Sequence, residues 1–269
     1  MTSLPEILAA ARRRVEDSIS RADLSQLEQD AATHVPRGFR KALESASASG
    51  VAIIAELKKA SPSRGLIRSN FDVAKLSQEL EQAGAAALSV LTDEEFFQGS
   101  LDNLGLASQA TKLPCLRKDF IIDEFQILEA RANRADAVLL IVAALSQPKM
   151  IALAKRSAEF QLDVLCEIHD EEELGRALDA GCDLVGVNSR DLHTFSVDLD
   201  TAFRVAQMLP PEVVAVAESG IERGQDIAQL RSAGYNAFLI GETLMRASSP
   251  GSELRRLIAE AGSAASAAF

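Results

Sequence analysis

Eight short apolar runs alternate with helix-length segments along most of the chain, and this alternation constrains the fold more than any other feature. The runs are short enough to be strands, and they lie at residues 51–57, 86–91, 113–116, 137–142, 162–166, 184–187, 213–217 and 237–240. Amphipathic segments separate them, for example at residues 72–83, 124–133, 147–160, 170–180, 198–208 and 224–233. Such alternation predicts parallel strands with right-handed crossovers, and eight units predict an α/β fold of the closed TIM (β/α)8 type.

Glycines that follow three helical segments agree with this fold. Gly84, Gly181 and Gly234 each stand a few residues before the next strand, where a helix C-cap needs a left-handed residue. The alternative is an open doubly wound sheet, which typically carries a glycine-rich fingerprint after its first strand. Residues 59–65 do not have that pattern, so the barrel is favoured.

The residues before the first strand have helical spacing and form an extra layer rather than an independent domain. We therefore predict one domain over residues 1–269. It consists of an N-terminal helical extension at 1–49, the barrel at 50–260 and a small-residue tail at 261–269 that frays. A length of 269 residues suits a single α/β barrel.

Charge and composition exclude several classes of function. The formal net charge of −11 argues against a general binder of nucleic acid or of anionic membranes, although a small anionic ligand stays compatible with it. The first ten residues lack the layout of a signal peptide, and no apolar run approaches the length of a membrane span. These features predict a soluble, cytoplasmic protein.

The three cysteines have no spacing typical of a metal site or a disulfide framework. We predict that Cys115, Cys166 and Cys182 are buried, reduced thiols. No motif for a metal, a nucleotide or a flavin is present, so no cofactor is predicted.

Charged or amide side chains follow most of the predicted strands. In a TIM barrel the active site is built at the carboxyl ends of the strands. Any one of these residues could be a solvated strand end, and the first two could form a surface ion pair, but together they predict one site. They are Glu56, Lys58, Lys118, Glu167, Asn188, Arg190 and Glu218.

The histidines are not predicted to take part in this site. His169 and His193 are interpreted as loop or surface residues, and His34 has no evident partner in the sequence.

The ends of the last two strands indicate an anion site. Ser219 and Gly220 follow one strand, and Gly241 and Glu242 follow the other. Backbone amides in these positions commonly bind phosphate in this fold, and glycine lets the backbone approach the anion closely. A phosphorylated small-molecule substrate is therefore predicted.

Four segments of the chain closely resemble indole-3-glycerol-phosphate synthases, in the order that this family has them. They are residues 54–63 (IAELKKASPS), 116–121 (LRKDFI), 186–192 (GVNSRDL) and 217–221 (AESGI). The resemblance extends from the N-terminal helices to about residue 258. It implies ring closure of 1-(2-carboxyphenylamino)-1-deoxyribulose 5-phosphate to indole-3-glycerol phosphate, with loss of carbon dioxide and water, in tryptophan biosynthesis.

The resemblance also implies a role for individual residues. Lys118 corresponds to the general acid, Glu167 to the carboxylate that assists proton transfer, and Glu56 and Lys58 to positioning groups of the catalytic network, with Asn188 beside them. The implied substrate contacts are Ser61, Arg190 and Glu218 for polar groups, Phe97, Phe120, Leu139 and Leu192 for the anthranilate ring, and Ser219, Gly220, Gly241 and Glu242 for phosphate. No cofactor is implied, and association with other enzymes of the tryptophan pathway stays open.

Three local expectations follow for this chain. Arg117 and Lys58 are expected to lower the pKa of Lys118, which would suit an acid near neutral pH. Many relatives have a small hydroxyl residue where this chain has Glu242; a backbone amide at this position can still bind phosphate, provided that the carboxylate turns away. Residues 61–65 are expected to form a lid or a segment that grips the substrate.

Two other functions fit a barrel with a phosphate site. A phosphoribosylanthranilate isomerase needs a cysteine and an aspartate as its acid–base pair, and no aspartate partner for Cys115 is evident from the sequence. A catalytically silent sugar-phosphate binder would be expected to lack the acid and base residues, which are present in this chain.

Overall fold

Eight parallel strands close into a barrel in the computed structural model, which describes residues 3–191 and 196–266. The strands are β1 (Ala52–Leu57), β4 (Ala87–Leu91), β5 (Cys115–Lys118), β6 (Ala137–Ile141), β7 (Asp163–Ile168), β8 (Leu184–Asn188), β9 (Val214–Glu218) and β10 (Ala237–Ile240). Each strand pairs in parallel with its neighbours, and β1 closes the ring by pairing with both β4 and β10. The predicted TIM barrel is confirmed.

Helices surround the barrel and precede it. They are α1 (Leu4–Arg21), α2 (Leu24–Thr33), α3 (Phe39–Ser49), α4 (Val73–Gln82), α5 (Glu94–Phe97), α6 (Leu101–Ala110), α7 (Glu124–Ala132), α8 (Gln147–Glu159), α9 (Glu171–Asp179), α10 (Asp200–Ala206), α11 (Gly224–Ser232), α12 (Glu242–Arg246) and α13 (Pro250–Ser266). A 3-10 turn covers Val142–Ala144. Helix α13 includes residues 261–266 of the predicted frayed tail, because an alanine-rich sequence favours the helix.

Local sequence explains where many of these helices begin and end. The side chains of Asp72, Ser100 and Asp170 cap α4, α6 and α9 by accepting from backbone N–H groups of the first turn. Gly84 and Gly181 have φ values of 98° and 80° after α4 and α9, which supports the predicted glycine C-caps.

Alternation along the strands separates two apolar layers. In β1, Ile53 and Ala55 pack outward against the helices, whereas Ala52 and Ile54 pack inside the barrel. Glu56 therefore points inward, because side chains two residues apart share a face. The same parity holds for Lys118, which follows the inward-facing Leu116.

The segment after β1 folds back on itself as a short hairpin. Strands β2 (Ala60–Ser61) and β3 (Gly65–Leu66) pair antiparallel beside the carboxyl end of β1. The hairpin carries Arg64 at its turn, and the backbone of Ile67 donates to Lys59 to close it.

The N-terminal extension is tied to the barrel by a buried carboxylate. Asp136, just before β6, accepts from His34 Nε2 at 3.0 Å, from the Arg37 backbone at 2.7 Å and from the Cys115 backbone at 2.7 Å. His34 thus has a partner that the sequence did not reveal, since the two residues are far apart along the chain.

The prediction of three reduced thiols is wrong for two of the cysteines. Cys166 and Cys182 form a disulfide, and Cys115 is the buried free cysteine. Strands β7 and β8 are neighbours, which brings the two Cα atoms to 6.4 Å, within the range of disulfides. Spacing along the chain gave no sign of this approach.

Among the helices that the structure describes, none is long and apolar enough to cross a membrane.

We expect Asp136→Ala to destabilise the fold more than most substitutions. Its removal leaves His34 and two backbone N–H groups buried without their acceptor, which typically costs on the order of 3 kcal/mol. Urea unfolding measures this loss, and Asp17→Ala on the exposed face of α1 is the matched control. If the free energy of unfolding of Asp136→Ala fell no further than that of the control, Asp136 would not anchor the N-terminal extension.

Candidate active site

A cavity of about 1100 Å³ opens at the carboxyl ends of the strands. Fourteen of the sixteen residues predicted for the site line it: Glu56, Lys58, Phe97, Lys118, Phe120, Leu139, Glu167, Asn188, Arg190, Glu218, Ser219, Gly220, Gly241 and Glu242. Ser61 lies in β2 outside the lining, although Pro62 and Arg64 of the same hairpin contribute to it. Leu192 lies outside the described residues.

The centre of the cavity is a lysine held between two carboxylates. Lys118 Nζ lies 2.5 Å from Glu167 Oε2 and 3.2 Å from Glu218 Oε2. Strands β5, β7 and β9 deliver the three side chains from different sides of the barrel, and both carboxylates are buried. One ammonium therefore contacts two buried carboxyl groups.

The expectation that cations lower the pKa of Lys118 is wrong. Burial acts to lower this pKa, but Glu167, Glu218 and Glu56 outweigh it and raise the pKa. Arg117 is on the opposite face of β5, where it pairs with Asp119 and Glu129.

The two carboxylates beside Lys118 are driven to opposite states. Burial raises the pKa of Glu167, but the opposing attraction of Lys118 and then His169 leaves it well below its ordinary value. Burial, with repulsion from Glu167, raises the pKa of Glu218 to about 8 despite the pull of Lys118. These opposite shifts favour an ionised Glu167 and a protonated Glu218 near neutral pH.

Two glycines make room for the buried acids. A Cβ at Gly186 would lie 2.1 Å from Glu218 Oε1, and one at Gly241 would lie 2.3 Å from Glu56 Oε1. Gly186 is therefore a functional position that the sequence analysis missed. A glycine inside a predicted strand is itself a signal of close approach.

Glu56 forms the second ion pair of the site. Its Oε1 lies 2.7 Å from Lys58 Nζ, as the spacing of the two residues along β1 predicted. This pair borders the Lys118 cluster, because Glu56 contributes to the raised pKa of Lys118.

One wall of the cavity is apolar. The rings of Phe97 and Phe120 are tilted at 39° with centroids 6.4 Å apart, and Leu139 continues the wall. Leu4 and Ile7 of α1 also line the cavity. The sequence analysis assigned α1 to an outer layer and did not foresee that it contributes to the site.

The opposite corner of the cavity is polar and rich in arginine. Ser219 and Gly220 have left-handed φ values of 64° and 78°, and Ser219 Oγ donates to Asn188 Oδ1 at 2.7 Å. The Glu242 carboxylate lies within the cavity lining rather than turned away. It pairs with Arg64 at 3.1 Å, Arg190 at 3.7 Å and Arg246 at 3.1 Å. These arginines neutralise the carboxylate, which explains why it can lie there.

The sequence analysis did not predict two further contacts at the mouth of the cavity. Arg14 of α1 bridges Asp93 and Asp119, next to Lys118, and so ties the extension to the site. His169 contacts Glu167 rather than lying free on the surface. Within residues 3–191 and 196–266, no cluster of three or more His, Cys, Asp or Glu side chains could hold a metal ion.

The pKa of Glu218 predicts how stability changes with pH. This pKa is about 8 in the fold and near 4.5 in the unfolded chain, so the folded protein binds the proton more tightly. The bound proton therefore stabilises the fold fully below pH 4.5, and this stabilisation is lost as the pH rises from 4.5 to 8. Relative to wild type, Glu218→Gln should therefore gain melting temperature over that window, by about 3 °C or more. Thermal unfolding at several pH values measures the difference, with the exposed Glu212→Gln as control. A difference that stays constant from pH 4.5 to 8 would refute the protonated state.

Comparison with known proteins identifies the family. The family model "Indole-3-glycerol phosphate synthase" matches residues 4–257. A curated protein of that name from Koribacter versatilis (strain Ellin345) is 57% identical over 257 residues, which cover 96% of this chain and 99% of the relative. Another from Polaromonas naphthalenivorans (strain CJ2) is 46% identical over 259 residues, with 96% and 98% covered.

Two solved structures resemble this chain in fold, but their sequence identity is too low to indicate a shared function. Thiamine phosphate pyrophosphorylase from Pyrococcus furiosus has a TM-score of 0.61 at 14% identity, covering 80% of this chain and 96% of that one. KGPDC from Streptococcus mutans has a TM-score of 0.61 at 11% identity, covering 79% and 98%. The family match is what distinguishes this barrel from those: the chain belongs to the indole-3-glycerol phosphate synthase family, and it is a carboxy-lyase.

Proposed function

We propose that this enzyme closes the indole ring of 1-(2-carboxyphenylamino)-1-deoxyribulose 5-phosphate by the general acid–base chemistry of Lys118 and Glu167. The products are indole-3-glycerol phosphate, carbon dioxide and water. Family membership supports the reaction. The single observation that carries the mechanism is the contact of the Lys118 ammonium with two buried carboxyl groups, those of Glu167 and Glu218.

Lys118 is the group that stabilises the ketone oxygen. When the ring carbon attacks the ketone, negative charge develops on that oxygen. The Lys118 ammonium stabilises this charge in a buried site, and it then transfers a proton to the oxygen, which becomes a hydroxyl group while the lysine becomes neutral. The carboxylate on the ring then leaves as carbon dioxide, which restores the aromatic ring.

Glu167 and Glu218 have different roles in the dehydration step. The hydroxyl group leaves as water when it takes a proton from Glu218, and this leaves a cationic intermediate. The ionised Glu167 stabilises the cation and then accepts a proton from it. The protonated Glu218 donates a hydrogen bond to a substrate hydroxyl. Two carboxyl groups whose pKa values are driven apart are suited to the separate roles of base and donor.

The remaining residues orient the substrate. Phe97, Phe120 and Leu139, with Leu192 by its family resemblance, hold the anthranilate ring. Asn188, Arg190 and Ser61 bind its polar groups, and the Glu56–Lys58 pair keeps the catalytic network aligned.

Phosphate binds at the arginine-rich corner. Ser219, Gly220, Gly241 and Glu242 offer backbone amides there, and arginines from three elements surround the Glu242 carboxylate. Arginine suits this role, because its planar guanidinium forms bidentate hydrogen bonds with phosphate oxygens. Arg64 belongs to the hairpin after β1, so we infer that this hairpin closes over the bound phosphate as a lid.

The isomerase alternative has less support. Cys115 is at the amino end of β5, where its backbone donates to Asp136, and both residues are remote from the cavity mouth. A silent sugar-phosphate binder is disfavoured because the acid–base groups line one cavity. We propose a cytoplasmic location and leave association with other tryptophan-pathway enzymes as a hypothesis.

We expect the wild-type protein to convert the carboxyphenylamino substrate with a rise in indole fluorescence. Lys118→Ala should reduce kcat by ~10²-fold or more, because a general acid contributes ~10²–10⁴-fold. Lys75→Ala, whose side chain is 84% exposed, is the matched control. Circular dichroism checks that both variants fold. Near-normal turnover by folded Lys118→Ala would exclude the proposed mechanism, and no fluorescence from wild type would exclude the reaction.

Glu242 should weaken phosphate binding, because its carboxylate competes with phosphate for the same arginines. We expect Glu242→Gln to lower the Kd of inorganic phosphate about tenfold, equivalent to ~1.4 kcal/mol. Calorimetric titration measures the Kd, with Glu253→Gln on α13, which pairs with Arg256 outside the cavity, as control. Weaker binding by Glu242→Gln would mean that the carboxylate instead orders the arginines for phosphate.

A further inference from the structure

His169 is directly linked to the catalytic cluster. It follows β7 and stands two residues after Glu167, so the two side chains leave the same face of the chain. Its Nε2 lies 3.6 Å from Glu167 Oε1, and its Nδ1 lies 3.1 Å from Glu173 Oε2. Each nitrogen of the imidazole therefore has a carboxylate beside it.

Helix α9 holds the outer carboxylate in place. Asp170 caps this helix and accepts from the Glu173 backbone at 2.8 Å. Glu173 in turn accepts from the His169 backbone at 2.8 Å as well as contacting the ring. Since both its backbone and its ring are bound to Glu173, His169 cannot turn to solvent without breaking the helix start.

The groups form a continuous chain of charges from the surface to the reaction centre. It runs from Glu173 through His169 and Glu167 to Lys118, and then to Glu218. His169 is largely buried, with its side chain 14% exposed, and Nε2 has no hydrogen-bond partner among the described residues. An imidazolium N–H at this position points its charge at Glu167.

The surroundings of the ring favour its charged form. Glu167 on β7, Glu173 on α9 and Glu218 on β9 all face it, and Lys118 on β5 is the cation beyond Glu167. Burial lowers the pKa of His169, but the hydrogen bond to Glu173 and the three carboxylates outweigh burial and raise it. These neighbours favour a positive charge on the ring beside Glu167, in addition to that of Lys118.

We propose that His169 is a positioning residue that acts through Glu167. As an imidazolium it holds this carboxylate toward Lys118 and keeps it ionised, while Glu218 keeps its proton. The inference deepens the proposed function and rests on Glu167 as the base. Without His169, the lone charge of Lys118 is shared between the acids, and Glu167 becomes easier to protonate.

The first experiment measures the coupling without any turnover. The chain has three histidines, so the imidazole resonances can be followed individually by NMR. We expect the His169 pKa to lie above 6.5 in wild type and to fall by about one unit in Glu167→Gln and in Glu173→Gln. Glu172→Gln, an exposed neighbour on α9, is the matched control, and His34 is the internal reference. An unchanged His169 titration in Glu167→Gln would overturn the proposal.

The second experiment measures the effect on turnover. A cation beside Glu167 lowers its pKa, so His169→Gln should move the acidic limb of the kcat profile about one pH unit upward. Near neutral pH Glu167 stays ionised in the variant, but its carboxylate is no longer held toward Lys118, so we expect kcat there to fall about tenfold, part of the ~10²–10⁴ of a general base, with KM little changed. His169→Lys should move the acidic limb of the kcat profile part of the way back to its wild-type position, because lysine keeps a positive charge beside Glu167.

The outcomes separate this proposal from the proposed function. A lowered kcat with an unmoved acidic limb would show a merely structural role for His169 and would overturn the inference. If the wild type did not close the indole ring, the proposed function would fail. The NMR titration would still decide whether His169 and Glu167 are coupled.

Discussion

The contact of one ammonium with two buried carboxylates is the interaction on which the rest of the site depends. Lys118 lies 2.5 Å from Glu167 and 3.2 Å from Glu218. Burying several like charges is costly unless they are paired or neutralised. Burial raises the pKa of Glu218 to about 8, which favours its neutral form, and the His169 ring lies beside Glu167. The asymmetry of the two acids therefore follows from their neighbours, since Glu167 contacts both Lys118 and His169, whereas Glu218 shares Lys118 with Glu167.

The barrel makes this arrangement possible because it delivers side chains from separate strands to one point. Residues two apart share a face, so the inward-facing Leu116 and Leu165 place Lys118 and Glu167 on the inner face as well. The N-terminal helices complete the mouth, with Leu4 and Ile7 in the cavity wall. The same extension is anchored at the opposite end of the barrel by Asp136, so its place over the mouth depends on contacts at both ends.

The features that the sequence analysis predicted wrongly or missed have one cause: they depend on which side chains become neighbours in the folded chain. The sequence suggested Arg117 as a neighbour that lowers the pKa of Lys118, but adjacent residues of a strand point to opposite faces. The disulfide between Cys166 and Cys182, and the partner of His34, depend on which strands and loops become neighbours. The surroundings of Glu242 likewise depend on the tertiary structure, since arginines from the hairpin, from the segment after β8 and from α12 meet at its carboxylate.

The sequence alone was sufficient to predict the eight-stranded barrel and the rim at which the site lies, and its resemblance to a known family completed the fourteen predicted residues that line the cavity. The barrel and the rim are predictable because strand and helix periods are local properties, and because the strands of this fold end at a common rim. Only the tertiary structure decided which acid is ionised, that Gly186 makes room for Glu218, and that His169 contacts Glu167. Protonation states depend on distances and burial between strands that are far apart in sequence, and no local pattern encodes them.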